Sequence, residues 1–285
     1  MVKIENSKTD IVEYIGKTSL QHGMNNNRVY LMKLDPDSNK KNVIDYIDKL
    51  CIENRYSKSF VKIRASDFPL FFPGGYRIEA YIPSFFRNGD DCIFACKYYD
   101  DERAVFIETK AGEAIASLLP GNKPHHGKDK ADKFEIRKAD LSDIASLAYF
   151  YGEQFPNYPF PLSSPEYLEK TMRANVDYSV ITDNGEIIAS ASAEKDMTEL
   201  NAEMTDFAVM PGYRGYGLAG KLMVELETHL KSGPVKTLYT IARLNSPAMN
   251  AVFKSSGYKY SGTLINNTNI STGIESMNVW YKHLL

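Results

Sequence analysis

Several features that would assign the chain to a common class of protein are scarce or missing. Its 285 residues include three cysteines, Cys51, Cys92 and Cys96, with no Cys-x-x-Cys pair and no nearby histidine to complete a tetrahedral metal site. No apolar run approaches the roughly 20 residues that a membrane-spanning helix needs. The first ten residues are polar and carry no signal-peptide pattern. We therefore expect a cytoplasmic protein without a metal site or a membrane partner.

An excess of charge of one sign is also missing. The formal net charge is −2, and acidic and basic residues are interspersed along the chain. A nucleic-acid-binding protein usually carries a clustered basic excess, so we expect no nucleic-acid partner. Hydrophobic residues make up 43% and charged residues 25% of the sequence, which is the balance of an ordinary globular protein.

A stretch of turn-forming and charged residues divides the chain. Residues 119–133 include Pro-Gly-Asn-Lys-Pro-His-His-Gly and show no apolar periodicity. This predicts an amino-terminal α/β domain over residues 1–130 and a second domain over residues 134–285. The first domain shares with residues 201–285 the order strand, helix, strand, helix, Gly-Tyr, strand, strand. We therefore interpret the first domain as a degenerate half-copy of the second.

The most informative segment runs from Asn201 to Leu222. An apolar strand breaks at Pro211-Gly212, and a glycine-spaced loop then opens directly into a helix. Unpaired backbone N–H groups at a helix N-terminus bind anions, and glycines let the backbone approach a phosphate closely. Arg214 adds a cation suited to a diphosphate. A glycine-rich turn that only caps a helix is the alternative, and the spacing fits neither the Walker loop nor the dinucleotide-binding loop.

These residues resemble the signature of the GNAT family of N-acetyltransferases. In that signature a strand ending in Val-x-Pro is followed by a Gln or Arg, which is Arg214 here. A Gly lies three positions later, here Gly217, and a Gly or Ala lies two positions after that, here Ala219. A second family motif follows at matching spacing, carried by Asn245, Ala248, Val252, Phe253, Gly257 and Tyr258. The resemblance covers residues 134–285 and implies the α/β GNAT fold, a mixed sheet with flanking helices.

The resemblance also implies acetyl-CoA as co-substrate and positions for its parts. The pantetheine arm would pair with the backbone of Phe207, Ala208 and Val209. The pyrophosphate would lie on Arg214, Gly215, Tyr216, Gly217, Leu218 and Ala219. Asn245 would lie near the thiol arm.

An alkyl ammonium titrates at about pH 10, so amine transfer at neutral pH needs a base. Glu203 is the first candidate because it precedes Val209 by six residues, where histone-acetylating relatives carry their basic glutamate. Asp206 is the second candidate. Strand alternation predicts that the two carboxylates point to opposite faces, so that at most one faces the amine.

The acid that protonates the leaving thiolate is less well defined. The family often uses a tyrosine, and that position is Phe253 here. Tyr258 is the substitute that we assign, with Tyr260 and unaided departure of the thiolate as alternatives.

Longer segments resemble one branch of the family, the β-lysine N6-acetyltransferases. The matching residues are 28–34, 74–83, 155–161 and 203–208. The resemblance implies acetylation of the terminal amine of (3S)-3,6-diaminohexanoate, which a lysine 2,3-aminomutase supplies. The product would be a compatible solute against salt stress.

Such a small-molecule amine needs a cation for its carboxylate and acidic or aromatic groups for its amines. We assign Tyr158 and Phe160 as walls of this pocket, and Arg77 and Glu79 as groups that reach it from the first domain. Two alternatives stay open: acetylation of a polyamine, another amino acid or a protein lysine, and a non-catalytic acetyl-CoA-binding protein. The oligomeric state is also open, with a homodimer among the options.

Overall fold

The computed structural model describes residues 10–106, 133–156, 158–270 and 273–284. In this part of the chain, 13 strands form one continuous sheet. The strands are β1 (Ile11–Ile15), β2 (Thr18–Gly23), β3 (Arg28–Lys33), β4 (Lys58–Arg64), β5 (Arg77–Ile82), β6 (Cys92–Tyr98), β7 (Glu135–Lys138), β8 (Val176–Asp183), β9 (Glu186–Asp196), β10 (Asn201–Val209), β11 (Thr237–Arg243), β12 (Lys259–Ile270) and β13 (Gly273–His283).

The helices of the described residues cover the faces of this sheet. They are α1 (Lys40–Asn54), α2 (Phe68–Phe71), α3 (Ile144–Gln154), α4 (Pro165–Ala174), α5 (Leu218–Lys231) and α6 (Pro247–Ser255). None of the helices within these ranges is long and apolar enough to cross a membrane. Residues 119–132 of the predicted linker lie outside the described residues, so the domain boundary stays a prediction.

The order of the strands repeats about the middle of the sheet. It reads β1-β2-β3-β4-β6-β5 and then β12-β13-β11-β10-β9-β8-β7. The pairs β3–β4 and β10–β11 are parallel and the other neighbouring pairs are antiparallel. The first six strands and strands β8–β13 therefore have the same topology, related by an approximate twofold axis between β5 and β12. The repeated order of elements expected from the sequence is present in the fold.

The two halves face each other across a strongly curved sheet. Ion pairs link Lys33 to Asp196 at 2.9 Å and Arg64 to Glu199 at 2.8 Å. A mixed apolar core lies between the halves and includes Tyr30, Phe60, Phe94, Tyr239, Leu264 and Val279. The separate cores under α1 and under α5 complete each half. Side chains of β3 and β4 are thereby brought opposite those of β10 and β11.

The strands at the approximate axis approach unusually closely. Gly262 on β12 pairs with Ala80 on β5. A Cβ atom added at Gly262 would lie 2.0 Å from the carbonyl oxygen of Glu79 and 2.8 Å from the Cα of Ala80. Both clashing atoms belong to backbone, so they cannot move away as a flexible side chain would. The junction of the two halves therefore requires glycine at this position.

We expect Gly262→Ala to lower the free energy of unfolding by about 1–3 kcal/mol, because the methyl group overpacks the strand junction. Gly273→Ala is the matched control, since an added Cβ there meets nothing within 4 Å. Denaturant unfolding of both variants checks this. Equal midpoints for the two variants would contradict the close approach.

Candidate active site

The loop between β10 and α5 has the geometry of an anion-binding site. Gly215 and Gly217 adopt φ angles of +82° and +79°, a region that favours glycine. Helix α5 begins directly after Gly217, and no side chain caps its first N–H groups. A Cβ added at Gly212 or Gly215 would meet nothing within 4 Å, so the space over the loop is open. Free donors and the helix dipole therefore converge on an accessible point.

Aromatic contacts hold this loop against the edge of the sheet. The Tyr213 hydroxyl donates a hydrogen bond to Asp183 at 3.0 Å. The ring of Phe134 packs edge-on against Tyr213 and Tyr216, with centroids 5.6 and 5.9 Å away. Arg214 is exposed at the rim of the loop. The backbone donors are thus preorganised. The Arg214 guanidinium makes one exposed hydrogen bond of 3.4 Å, from its Nε to the Val209 carbonyl.

Strands β10 and β11 separate shortly after they begin. They pair only from Asn201 with Thr237 to Glu203 with Tyr239, although β10 continues to Val209 and β11 to Arg243. Each strand keeps its outer partner over the rest of its length. The backbone of β10 after Glu203 therefore has no strand partner on the side of β11, and its amides and carbonyls can pair with an extended ligand.

Glu203 lies at the point where the two strands part. Its side chain lines a cavity of about 130 Å³ between the two halves of the protein. Removal from water raises the pKa of this carboxyl to about 7. Tyr239 lies close enough to Glu203 to act against this rise, and its hydroxyl accepts a hydrogen bond from the Lys62 ammonium at 2.9 Å. A carboxyl that titrates near neutral pH is well matched to proton abstraction.

Asp206 lines the same cavity, so the expectation of opposite faces was wrong. Between Thr205 and Ala208, β10 advances three residues while β9 advances two, which is a β-bulge. Asp206 takes the left-handed conformation there, with φ +56°. The extra residue breaks the alternation and turns the second carboxylate inward.

Hydrogen bonds hold the Asp206 carboxylate in place. Tyr158 donates to one of its oxygens at 2.8 Å, and Ser192 donates to the other. Burial raises the pKa of Asp206, and these hydrogen bonds act in the opposite direction. Asp206 is therefore a fixed acceptor in the wall of the cavity.

The cavity is lined by both halves of the protein. Tyr158 and Phe160 are part of its wall, and their contact with a substrate stays a prediction. Its charged residues are Arg28, Lys62, Glu194, Glu203 and Asp206. Three of these, Arg28, Lys62 and Glu194, were not predicted as site residues from the sequence. Of these three, only Glu194 could have been found from the sequence, because it lies opposite Glu203 in the β9–β10 hairpin.

The structure does not bring Arg77 and Glu79 into the cavity. The Glu79 carboxylate accepts hydrogen bonds from Lys58, Tyr98 and the Ile265 amide. Arg77 is exposed, with its guanidinium 4.3 Å from the centroid of the Tyr98 ring. Glu79 therefore stabilises the centre of the sheet through these hydrogen bonds. Arg77 lies on the exposed side of the sheet, over the ring of Tyr98.

Tyr258 also lies away from the cavity. It is 4% exposed, and its ring packs edge-on against Phe253 with centroids 5.3 Å apart. Burial raises its pKa well above the ordinary value. Tyr258 is not among the residues that line the cavity.

Asn245 is exposed in the turn after β11. Buried Asn250 holds that turn by donating to the Arg243 carbonyl at 2.9 Å.

Comparison with known proteins decides the family. The model of the acetyltransferase (GNAT) family matches residues 140–258. A β-lysine N(6)-acetyltransferase of Methanococcus maripaludis is 39% identical over 90% of this chain and 93% of its own length. The chain belongs to the GNAT family of acetyltransferases.

Two further relatives of this GNAT chain are similar over most of its length. The N-acetyltransferase YodP of Bacillus subtilis is 32% identical over 93% of this chain and 95% of its own length. A β-lysine N(6)-acetyltransferase of Methanosarcina mazei is 32% identical over 74% of this chain and 85% of its own length. The protein is an N-acetyltransferase, and acetyl-CoA is its acyl donor.

The described residues fit this donor. The uncapped start of α5 and the open glycine loop suit a pyrophosphate, and the unpaired edge of β10 from Phe207 to Val209 suits the amides of a pantetheine arm. No group of three or more potential metal ligands occurs within the described ranges. The specific contacts of Arg214, Asn245 and the loop residues stay predictions.

We expect Arg214→Ala to raise the KM for acetyl-CoA about tenfold, because one charge-assisted hydrogen bond to the pyrophosphate is lost. The kcat should change little, since the rim of the loop is remote from Glu203. Arg173→Ala, an exposed arginine on α4, is the control. Steady-state kinetics with saturating amine checks this, and an unchanged KM would refute the assignment of the loop.

We expect kcat to rise with pH through about 7, because Glu203 accepts a proton only when it is ionised. Glu203→Gln should remove this limb and lower kcat by about 10²–10⁴-fold, with acetyl-CoA binding retained. Glu53→Gln, exposed on α1, is the control. A Glu203→Gln enzyme with the wild-type pH profile would exclude Glu203 as the base.

Proposed function

We propose that the protein transfers the acetyl group of acetyl-CoA to the terminal amine of β-lysine and so forms N6-acetyl-β-lysine. The observation that carries the proposal is the charge inventory of the cavity. Two cations, Arg28 and Lys62, line it together with three carboxylates, Glu194, Glu203 and Asp206. A diamino acid presents the complementary set, with two ammonium groups and one carboxylate. The names of the two archaeal relatives support the same substrate.

In this proposal Glu203 takes a proton from the terminal ammonium. The free amine then attacks the thioester carbonyl carbon in the gap between β10 and β11. The new C–N bond forms as the C–S bond breaks, coenzyme A leaves as the thiolate, and the thiolate takes up the proton that the amide nitrogen then loses. A backbone N–H of β10 beyond Glu203 polarises the carbonyl oxygen. We assign no protein acid, because Phe253 has no hydroxyl and Tyr258 is buried in the core.

The second ammonium of β-lysine, at carbon 3, needs a separate partner. We assign it to Asp206, whose two oxygens are already oriented by Tyr158 and Ser192. Each carboxylate oxygen has a second lone pair, so this contact does not displace those hydrogen bonds. Tyr158 and Phe160 border the same space and exclude water from it. Both amines are thereby held before transfer begins.

The net charge of the product supports a proposal for its role in the cell. Acetylation removes one positive charge, so the product keeps one ammonium and one carboxylate and is a neutral zwitterion. We propose that it accumulates in the cytoplasm as a compatible solute under salt stress. The reaction that supplies the substrate would be the 2,3-migration of the amino group of lysine, catalysed by an aminomutase.

We expect the kcat/KM for β-lysine to exceed that for lysine, spermidine or a lysine-containing peptide by at least tenfold. The reason is that only β-lysine places both ammonium groups and the carboxylate on partners in the cavity. Thiol release from acetyl-CoA with each purified amine checks this. Equal rates for β-lysine and another amine would refute the specific substrate. Acetyl-CoA binding without turnover of any amine would favour the non-catalytic alternative.

A further inference from the structure

Two buried arginines of the first half differ in how their donors are used. Arg103 is 7% exposed, and each of its three nitrogens donates to the protein. The acceptors are the Asn266 carbonyl at 2.7 Å, the Ser57 hydroxyl at 2.9 Å and the Asn26 carbonyl at 2.8 Å. Arg103 therefore acts within the fold, where it ties the β12–β13 hairpin to the loops beside it.

Arg28 is 4% exposed and is only partly engaged. One terminal nitrogen donates to the Asn267 carbonyl at 2.6 Å and to the Thr268 hydroxyl at 3.1 Å. Its Nε is buried and donates to no described residue. Within the described ranges, no carboxylate lies at ion-pair distance from Arg28. The guanidinium borders the cavity beside the stacked rings of Tyr30 and Phe60, with its carbon 5.5 Å from each ring centroid.

A buried charge without an oppositely charged partner destabilises the protein unless a ligand supplies that opposite charge. Burial lowers the pKa of Arg28 to about 10, so it stays charged at neutral pH. A planar guanidinium with open donors fits a carboxylate, which can accept two parallel hydrogen bonds. Lys62, the other cation of the cavity, lies close enough to Glu203 and Glu194 to affect their pKa values, and both carboxyls line the cavity with it. Asp10, which acts on the pKa of Arg28, does not line the cavity and accepts hydrogen bonds from Asn26. Arg28 is therefore the cation that is open to an anionic ligand.

A line of aromatic rings separates Arg28 from the reacting end of the cavity. The rings of Tyr30 and Phe60 stack at 4.3 Å, Phe60 and Phe94 at 5.9 Å, and Phe94 lies 6.3 Å from Tyr239, which contacts Glu203. These ring contacts hold the walls of the cavity that Arg28 and Glu203 both line. A substrate that joins an amine to a carboxylate through an aliphatic chain can contact both.

We propose that Arg28 binds the carboxylate of the acceptor amine and makes the first half of the protein the part that selects the substrate. The inference rests on the proposed function and adds the residue that selects amino acids over polyamines. The repeated topology is consistent with this division of roles. Tyr30 occupies on β3 the register position that Glu203 occupies on β10. The connection from β3 to α1, residues 34–39, has no glycine and carries Asp35 and Asp37 in place of a phosphate loop.

The test compares β-lysine with its carboxamide, which keeps both amines and removes the negative charge. For the wild-type enzyme we expect kcat/KM to favour β-lysine roughly 10- to 150-fold, the range for hydrogen bonds to a charged group. In Arg28→Met the ratio should fall close to one. Arg28→Lys keeps the charge without the planar fork, so we expect an intermediate ratio. It also provides the measurement if Arg28→Met fails to fold.

Arg103→Lys is the matched control, since it alters a buried arginine of the same region that does not line the cavity. We expect it to lower thermal stability and leave the substrate ratio at the wild-type value. An unchanged ratio in Arg28→Met, or a wild-type ratio near one, would overturn the role of Arg28.

If the proposed function is wrong, the result is different: the wild-type enzyme has a higher kcat/KM for another amine than for β-lysine. If that amine carries a carboxylate, its own carboxamide takes the place of β-lysine amide, and Arg28→Met should still abolish the preference. If the better acceptor is a polyamine without a carboxylate, the inference about Arg28 is overturned as well.

Discussion

Strands β10 and β11 exchange hydrogen bonds only as far as Glu203 and Tyr239, and most of the site follows from where that pairing ends. The separation leaves an unpaired backbone edge on β10, to which we assign the pantetheine arm. It places Glu203 at the apex of the gap, away from bulk water, and burial there raises its pKa to about 7. The bulge that follows turns Asp206 toward the same space. Cofactor edge, base and second carboxylate thus share one structural origin.

The second constraint is the doubling of the sheet. Strands β3 and β4 of the first half lie across the cavity from β10 and β11, so both halves enclose the space beside the gap. The close contact at Gly262 and the ion pair of Arg64 with Glu199 hold the halves in this arrangement. Arg28 uses one terminal nitrogen for hydrogen bonds within the protein and leaves its buried Nε without an acceptor among the described residues, and a carboxylate would complete it.

The parts of the site that depend on local spacing could be predicted from the sequence. The loop around Arg214 needs only glycines ahead of a helix, and Glu203 lies at a fixed offset from it. The direction of Asp206 could not be predicted, because one extra residue in a bulge reverses the alternation. Arg28 and Lys62 were missed because they reach the cavity only through the curvature of the whole sheet. The assignment of Arg77 and Glu79 to the pocket was wrong, because the sequence of a central strand does not show which strands lie beside it.

The most direct measurement is a crystal structure with a bisubstrate analogue, in which an acetyl linker joins the terminal nitrogen of β-lysine to the sulfur of coenzyme A. We expect the pyrophosphate on the loop of Arg214 and the linker in the gap between β10 and β11. The terminal nitrogen should lie within hydrogen-bond reach of Glu203, directly or through one water. A complex with the coenzyme in the gap and the amine portion outside the cavity would contradict a catalytic site shared by the two halves.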